Sequence, residues 1–482
     1  MFVGRDHELS LLNELWNRPH AAFVVCKGRR RIGKSTLIQQ FGKSAETFME
    51  FQGAAPDTGI SNQEQMKIFV DQLCAQTDIP RFQPDNWQQI FSFLVMAVMR
   101  DRKTVILLDE ISWMAGKSKS FSAQLKIVWD TKFKKFANLV LVICGSVSSW
   151  IDKNILNNTG FMGRVSLELT PEELPLHHCN EFWQEKSERI SSIEKLKLLS
   201  ITGGVPRYLE EINPTLTAEE NISRLCFEKG GILFNEFDRI FNDVFERRAG
   251  TYKKIVKSLV SGSKTLSAIS AETARIKSGH LTGCLKDMIE SGFISKDKVY
   301  SVQTAKETRR TSYRLKDNYI RFYLKYIEPL SDRIKNNLYD DAAIEDLINW
   351  DTIMGLQFEN LVLNNLQSII RLLQINPNSL LSASPYYQKR TAKQEACQVD
   401  LIIRTKYSVY VCEVKFRRKI GKGVIDEVYE KISRLKFKDI LSIRPVLIYE
   451  GMLSENLLRE DFFDRIIRFS DLLVKLSTVG EN

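Results

Sequence analysis

Gly28-Arg29-Arg30-Arg31-Ile32-Gly33-Lys34-Ser35 fits the spacing G-x-x-x-x-G-K-[ST] at every fixed position. Glycines at 28 and 33 let the backbone curl until its N–H groups point inward at phosphate oxygens. Lys34 then reaches the β- and γ-phosphates of a nucleotide, and the Ser35 hydroxyl takes one Mg²⁺ position. The apolar run Ala21–Cys26 before the loop suits a buried strand, and Thr36–Phe41 after it has helix-forming composition. Strand, glycine loop and helix N-terminus follow in the order an anion site needs. The expected nucleotide contacts are Gly28, Arg29, Arg30, Arg31, Ile32, Gly33, Lys34, Ser35 and Thr36.

A second apolar run, Thr104–Leu108, ends in Asp109-Glu110. Asp109 at that strand end is placed to hold Mg²⁺ through water. Glu110 is placed to orient or deprotonate an attacking water. A third run, Leu139–Cys144, ends in Gly145-Ser146, where Ser146 is the candidate sensor of the γ-phosphate, with a plain Gly-Ser turn after a core strand as the alternative. Arg164, in Gly160-Phe161-Met162-Gly163-Arg164, is a second candidate sensor, with an exposed loop arginine as the alternative.

Another constellation lies in the last 130 or so residues. Asp400 falls in the strand-like run Gln398–Ile403, and Glu413 and Lys415 share one face of the alternating run Val409–Lys415. A turn near Lys406-Tyr407 makes the pair a hairpin. Two acids on adjacent strands, Asp400 and Glu413, share a divalent metal, and Lys415 positions water near a scissile phosphate. Glu359, on a helix containing Gly355–Val362, completes the set. From Arg404 to Lys422 there are seven lysines and arginines against one acid, a charge suited to phosphate contacts. The competing reading is an exposed, salt-bridged hairpin.

These residues need elements to hold them. Residues 1–165 alternate strand and helix, which implies a parallel sheet covered on both faces. Ahead of the loop, Leu9, Leu12 and Leu15 mark one side of an amphipathic helix. Residues 166–245 read as helical, broken by Thr202-Gly203-Gly204-Val205-Pro206, and suit a lid on the nucleotide-binding core. Residues 246–330 give three short helices and then a hairpin beginning near Gly292, the pattern of a winged helix-turn-helix. Its third helix carries Lys286 beside Asp287 and Glu290, which favours a lid or protein contact over DNA reading. The aromatic run Tyr313–Tyr323 reads as core or interdomain contact, and Ser331–Asp341 as a linker into a domain spanning 331–482.

At 482 residues the chain exceeds one core, and two to four domains are expected. Hydrophobic content of 43% with 27% charged residues is ordinary for a soluble globular protein. No apolar run nears the roughly 18 residues that span a bilayer, and the N-terminus lacks a signal-peptide layout. Cytoplasmic residence is expected, with no membrane partner. The eight cysteines are scattered without a C-x-x-C, and the five histidines form no ligand pattern, which argues against a disulfide framework or zinc. A net charge of +10 favours a polyanionic partner, nucleic acid and DNA first.

Taken together the chain resembles the archaeal-type ATPase family, of the STAND branch of AAA-related P-loop NTPases. The resemblance rests on Phe2-Val3-Gly4-Arg5, the loop 28–35, Leu107-Leu108-Asp109-Glu110, Cys144-Gly145-Ser146, Gly163-Arg164, Gly203-Gly204-Val205-Pro206, Phe358-Glu359 and Asp400…Glu413-Val414-Lys415. It implies a multidomain α/β chain: a P-loop NTPase parallel sheet with a helical lid, a winged helix-turn-helix, and a C-terminal restriction-endonuclease-like α/β domain related to PD-(D/E)XK nucleases. It implies ATP and Mg²⁺ at Lys34, Ser35 and Asp109 with Glu110 as acid/base, and metal-dependent phosphodiester cleavage at Asp400, Glu413 and Lys415 with Glu359 in support. One departure stands out, since Gln398-Val399 rather than a Pro precedes Asp400. The expected function is an ATP-driven switch governing a nucleic-acid-processing domain. The alternative is an ATP-regulated DNA- or protein-binding signalling module with a silent nuclease-like domain. A homo-oligomer or a regulatory protein partner is compatible with either.

Overall fold

The apolar runs on either side of the phosphate loop become strands buried on both faces, as parallel strands must be. A computed structural model describes residues 1–55, 60–146, 148–245, 249–273, 276, 278–301, 306–339, 344, 347–390, 392, 394–435 and 441–475. It divides into two compact units, Met1–Glu173 and Leu174–Asn482.

In the first unit, β1 (Ala22–Lys27), β2 (Thr47–Gln52), β3 (Thr104–Asp109), β4 (Leu139–Gly145) and β5 (Leu167–Leu169) form one sheet in the order β2-β3-β4-β1-β5. All its pairings are parallel. Alternate residues serve opposite faces. Phe23, Val25, Ile106, Leu108, Leu141 and Ile143 meet helices Asn62–Gln76, Trp87–Met96 and Phe121–Thr131. Val24, Cys26, Val105, Leu107, Val140 and Val142 meet Leu12, Leu37, Ile38 and Phe41 from helices Asp6–Glu14 and Lys34–Gly42. The unit runs past the expected boundary at 165 because β5 pairs with β1.

β2 has no signal in the sequence, and its position explains why. As an edge strand it keeps polar residues, and side chains cover its open backbone. Gln72 accepts from the Gln52 N–H at 2.7 Å and donates to its carbonyl at 3.0 Å. Gln76 does the same for Glu50 at 2.9 and 2.8 Å.

The second unit begins with helices, among them Ser192–Thr202, which packs on helix Trp350–Asn364 and the turn Phe469–Leu473. Of the segment 166–245 expected as a lid, residues 174–245 fall in this second unit. Helices Ala249–Ser258, Leu266–Glu272 and Ser278–Glu290 precede an antiparallel hairpin, β6 (Ile294–Tyr300) and β7 (Glu307–Leu315). Lys264 bridges to Tyr313, adding a third short edge to that hairpin. The aromatic run after it is core, with Tyr319 and Phe322 fully buried. The expected linker starts inside a helix, Glu328–Lys335, and its last two residues, 340 and 341, lie outside the described residues.

A second sheet closes the chain: β8 (Leu380–Gln388), β9 (Cys397–Thr405), β10 (Ser408–Ile420), β11 (Ser442–Leu453) and β12 (Arg465–Arg468), ordered β12-β11-β10-β9-β8. β8, β9 and β10 pair antiparallel, whereas β10, β11 and β12 pair parallel. Helix Gly423–Arg434 makes the crossover from β10 to β11. The turn at Lys406-Tyr407 falls where the sequence puts it. Among the described residues no helix is long and apolar enough to cross a membrane. None of the eight cysteines forms a disulfide.

Candidate functional site

The loop between β1 and helix Lys34–Gly42 turns on three left-handed residues, Gly28 at φ 128°, Arg31 at 68° and Gly33 at 84°. L side chains disfavour that region, so glycine at 28 and 33 lets the loop close without strain. Gly33 stands at the helix N-cap position with no side chain capping the first turn. The N–H groups there remain for an anion. Lys34 is buried and folds back over the loop, donating to the carbonyls of Gly28 at 3.0 Å and Arg29 at 2.9 Å. Arg29 pairs with Glu173 at 2.6 Å, and the Arg30 guanidinium lies 5.4 Å from the Trp113 ring.

Strand order brings the acids to the loop. β4 lies between β1 and β3, so Ser146 at its end stands between Lys34 and the Asp109-Glu110 pair. Lys34 Nζ approaches Ser146 Oγ at 3.3 Å, and Ser146 Oγ donates to Glu110 Oε1 at 2.8 Å. The Ser146 N–H points at the other Glu110 oxygen, at 3.4 Å. Glu110 is itself left-handed, at φ 46°, a strained conformation of the kind that collects at functional sites. Ser35 Oγ donates to Asp109 Oδ2 at 2.7 Å. A hydroxyl and a carboxylate side by side are hard oxygen donors of the kind Mg²⁺ takes.

Arg164 is not brought to this site. It precedes β5, whose Leu167 pairs with Val24, so it lies at the opposite end of the sheet from the loop. There it grips Asp130 with two bonds, 2.7 and 2.9 Å, and that hydrogen-bonded partner holds the Asp130 carboxyl down at about 2. Arg5, just before helix Asp6–Glu14, is the residue touching the loop that motif spacing leaves out. Buried and left-handed, it donates to the Ile32 carbonyl at 3.0 Å and ties the N-terminus to the phosphate loop. The only signal for it is the string Phe2–Arg5, which has no chemistry of its own.

The C-terminal acids do converge. Cys412 pairs with Leu401 across the β9–β10 hairpin, so the next step sets Glu413 opposite Asp400. Asp400 Oδ2 accepts the Val414 N–H at 2.9 Å. Glu359 approaches from helix Trp350–Asn364, anchored by Phe358 stacking on Phe416 at 4.9 Å. Burial pushes the Glu359 carboxyl up to about 8, helped by Asp400 and Glu413 and opposed by Arg321 and Lys431. Burial also lifts Asp400 to about 6, with Glu413 adding to it. Crowded carboxylates short of cations behave this way.

Both Glu413 oxygens are engaged, one by Lys415 at 2.8 Å and the other by Lys431 at 2.5 Å. Lys415 also meets Glu427 at 2.6 Å. Lys431 and Glu427 come from the crossover helix and share no motif with the acids, so sequence spacing misses them. Oxygen donors at Asp400 and Glu413 suit a hard divalent cation. Among the described residues, however, no group of three or more His, Cys, Asp or Glu side chains is arranged to hold a metal.

The basic run Arg404–Lys422 does not form one face. Arg404 is buried against its own turn, Lys422 pairs with Glu460, and Lys415 serves the acids. Only Arg417, Arg418 and Lys419 stand exposed together on β10. On helix Ser278–Glu290, Asp287 turns inward to the Tyr252 hydroxyl and Lys286 lies 3.5 Å from Glu290.

Residues 2–212 match the family model described as an ATPase domain predominantly from Archaea. The uncharacterized protein MJECL04 of Methanocaldococcus jannaschii is 24% identical over 361 residues, covering 74% of this chain and 76% of that protein. The uncharacterized ATP-binding protein MJ0423 of the same organism is 46% identical over 41 residues, 8% of this chain and 70% of that one. Among solved structures, the Walker-type ATPase PABY2304 of Pyrococcus abyssi aligns at TM-score 0.47 and 16% identity, covering 67% of this chain and 96% of that chain. The ORC2 protein of Aeropyrum pernix aligns at 0.43 and 13%, covering 69% and 94%. With the loop, the two strand-end acids and the parallel sheet in place, residues 2–212 carry an ATPase domain of the type found predominantly in Archaea.

Proposed function

We propose that this chain is an ATP-binding and ATP-hydrolysing switch joined to a nucleic-acid-binding, metal-dependent nuclease-like domain. In the ATPase, the loop N–H groups and Lys34 hold the β- and γ-phosphates. Ser35 and Asp109 are the residues that would hold Mg²⁺, which when bound offsets the charge of the phosphate oxygens. Glu110 takes the proton of the attacking water once its carboxylate is released from Ser146. The segment 246–330 is read as a winged helix and 331–482 as the nuclease-like domain.

The single observation that carries the nuclease half is the meeting of Glu359, Asp400 and Glu413 from three separate elements. Asp400 and Glu413 would hold a divalent cation, which supplies charge neutralisation at a scissile phosphate. Lys415 then orients the attacking water, and Glu359 keeps a proton beside the acid pair near neutral pH. DNA is the favoured partner. The test uses the full chain with labelled DNA, Mg²⁺ or Mn²⁺, with and without ATP, against Lys34→Ala and Asp400→Ala. Cleavage lost in Asp400→Ala and ATP hydrolysis lost in Lys34→Ala support the reading. Hydrolysis surviving Lys34→Ala sinks the ATPase half.

A second reading follows from Glu413, both of whose oxygens are already taken by lysines. In it the domain holds DNA or protein without cutting. DNA binding with no cleavage under any metal or nucleotide condition selects this reading.

A further inference from the structure

Two of the site's acids, Glu359 and Asp400, line a cleft of about 480 Å³, and the walls of that cleft bear on what reaches them. One wall is the turn holding Gly262 and Lys264 together with Arg314 of β7; the other is the end of β8, with Tyr386, Tyr387 and Lys389. Glu359 and Asp400 lie between them.

The volume falls within the range of pockets that enclose one small ligand, about 300–1,000 Å³. A nucleic-acid duplex keeps its bases stacked inside and is far too wide to enter such a slot. An unpaired nucleotide fits. The charges in the walls are unevenly spent: Lys264 is paired with Glu272, and Arg314 with Asp297 at 2.9 Å. Lys389 makes no ion pair among the described residues, lines the cleft and is exposed. Beside it Tyr387 is 47% exposed, a large aromatic face left to solvent at the entrance. An exposed ring next to an unspent cation is the pairing that single-strand binders use, the ring for a base and the cation for its phosphate.

We infer that this site acts on unpaired nucleotides, a single strand or a frayed end, with a base stacked on Tyr387 and a phosphate held by Lys389. The inference rests on the nucleic-acid reading above and narrows its substrate class.

The test is fluorescence anisotropy of the full chain in EDTA, with a labelled 12-nucleotide DNA probe as single strand and as blunt duplex. Single strand is expected to bind about tenfold tighter than duplex or better. Tyr387→Ala should weaken single-strand binding about fivefold to a hundredfold, while Tyr387→Phe, which keeps the ring, binds within about twofold of wild type. Lys389→Ala should reduce the slope of affinity against salt by about one phosphate contact. Melting curves of each variant exclude misfolding as the cause. Duplex bound as tightly as single strand, or Tyr387→Ala binding like wild type, overturns the inference. If duplex is preferred in EDTA and is cut once Mg²⁺ replaces the EDTA, the nuclease reading stands and only the substrate class falls. If neither probe binds, both fall.

Discussion

In the phosphate loop one lysine faces two main-chain carbonyls and a serine, whereas in the C-terminal sheet three carboxylates share two lysines. The first arrangement is made largely of backbone. Its geometry comes from eight consecutive residues, and its acids arrive at the ends of neighbouring strands. The second is made of side chains from β9, β10 and two helices, and its charge does not balance. A site built on backbone is fixed by local sequence. One built on crowded side chains is tuned by burial and by whatever cation arrives.

The largest effect that checks this contrast is Lys34→Ala. Because the buried loop lysine is the cation that reaches the phosphates, ATP hydrolysis measured by phosphate release should fall at least about a hundredfold. Glu110→Gln comes next. It should cost about a hundredfold or more in turnover while nucleotide binding, followed with a fluorescent ATP analogue, stays close to wild type. A Glu110→Gln protein that turns over normally would remove this residue from the chemistry.

The C-terminal site should respond to pH. Glu359 and Asp400 hold their protons more tightly folded, at about 8 and about 6, than at their ordinary values of 4.5 and 3.8. The folded state therefore binds more protons across that window, and its stability falls as pH rises. The contribution is complete below about pH 4 and lost as pH climbs towards 8. Without divalent metal, the melting temperature of the full chain should drop by about 3 °C or more between pH 6 and 8.5. Glu359→Gln should flatten that slope, and added Mn²⁺ should raise melting most at the alkaline end. A slope unchanged by Glu359→Gln would show that Glu359 does not share the crowded charge.

The smallest effect belongs to Arg164. Its bond is to Asp130 at the far end of the sheet, so Arg164→Ala should change ATP turnover less than about threefold and cost about 1 kcal/mol of stability or less. A large loss of turnover would show that Arg164 acts on nucleotide after all.

Much of the first unit is legible in the sequence because parallel strands buried on both faces leave unbroken apolar runs. β1, β3 and β4 are of this kind, and β2, half polar at the sheet edge, is not. The β9–β10 hairpin is legible for another reason: a two-residue turn fixes register, and register decides which side chains face one another. Lys431 and Glu427 leave no such trace, since nothing in helix Gly423–Arg434 marks which of its charges will face the acids.

The sequence by itself determined the phosphate loop, its lysine and serine, and the strands ending in Asp109-Glu110 and Ser146. Those are local patterns, written in glycine spacing and in runs of apolar residues. Tertiary structure alone decided that β4 separates β1 from β3, so that Ser146 links Lys34 to Glu110. It also sent Arg164 to the far end of the sheet, dispersed the basic run of β10, and gathered Glu359, Asp400 and Glu413 above two lysines. Pairing order and side-chain convergence depend on contacts between residues far apart in the chain, and no local periodicity encodes them.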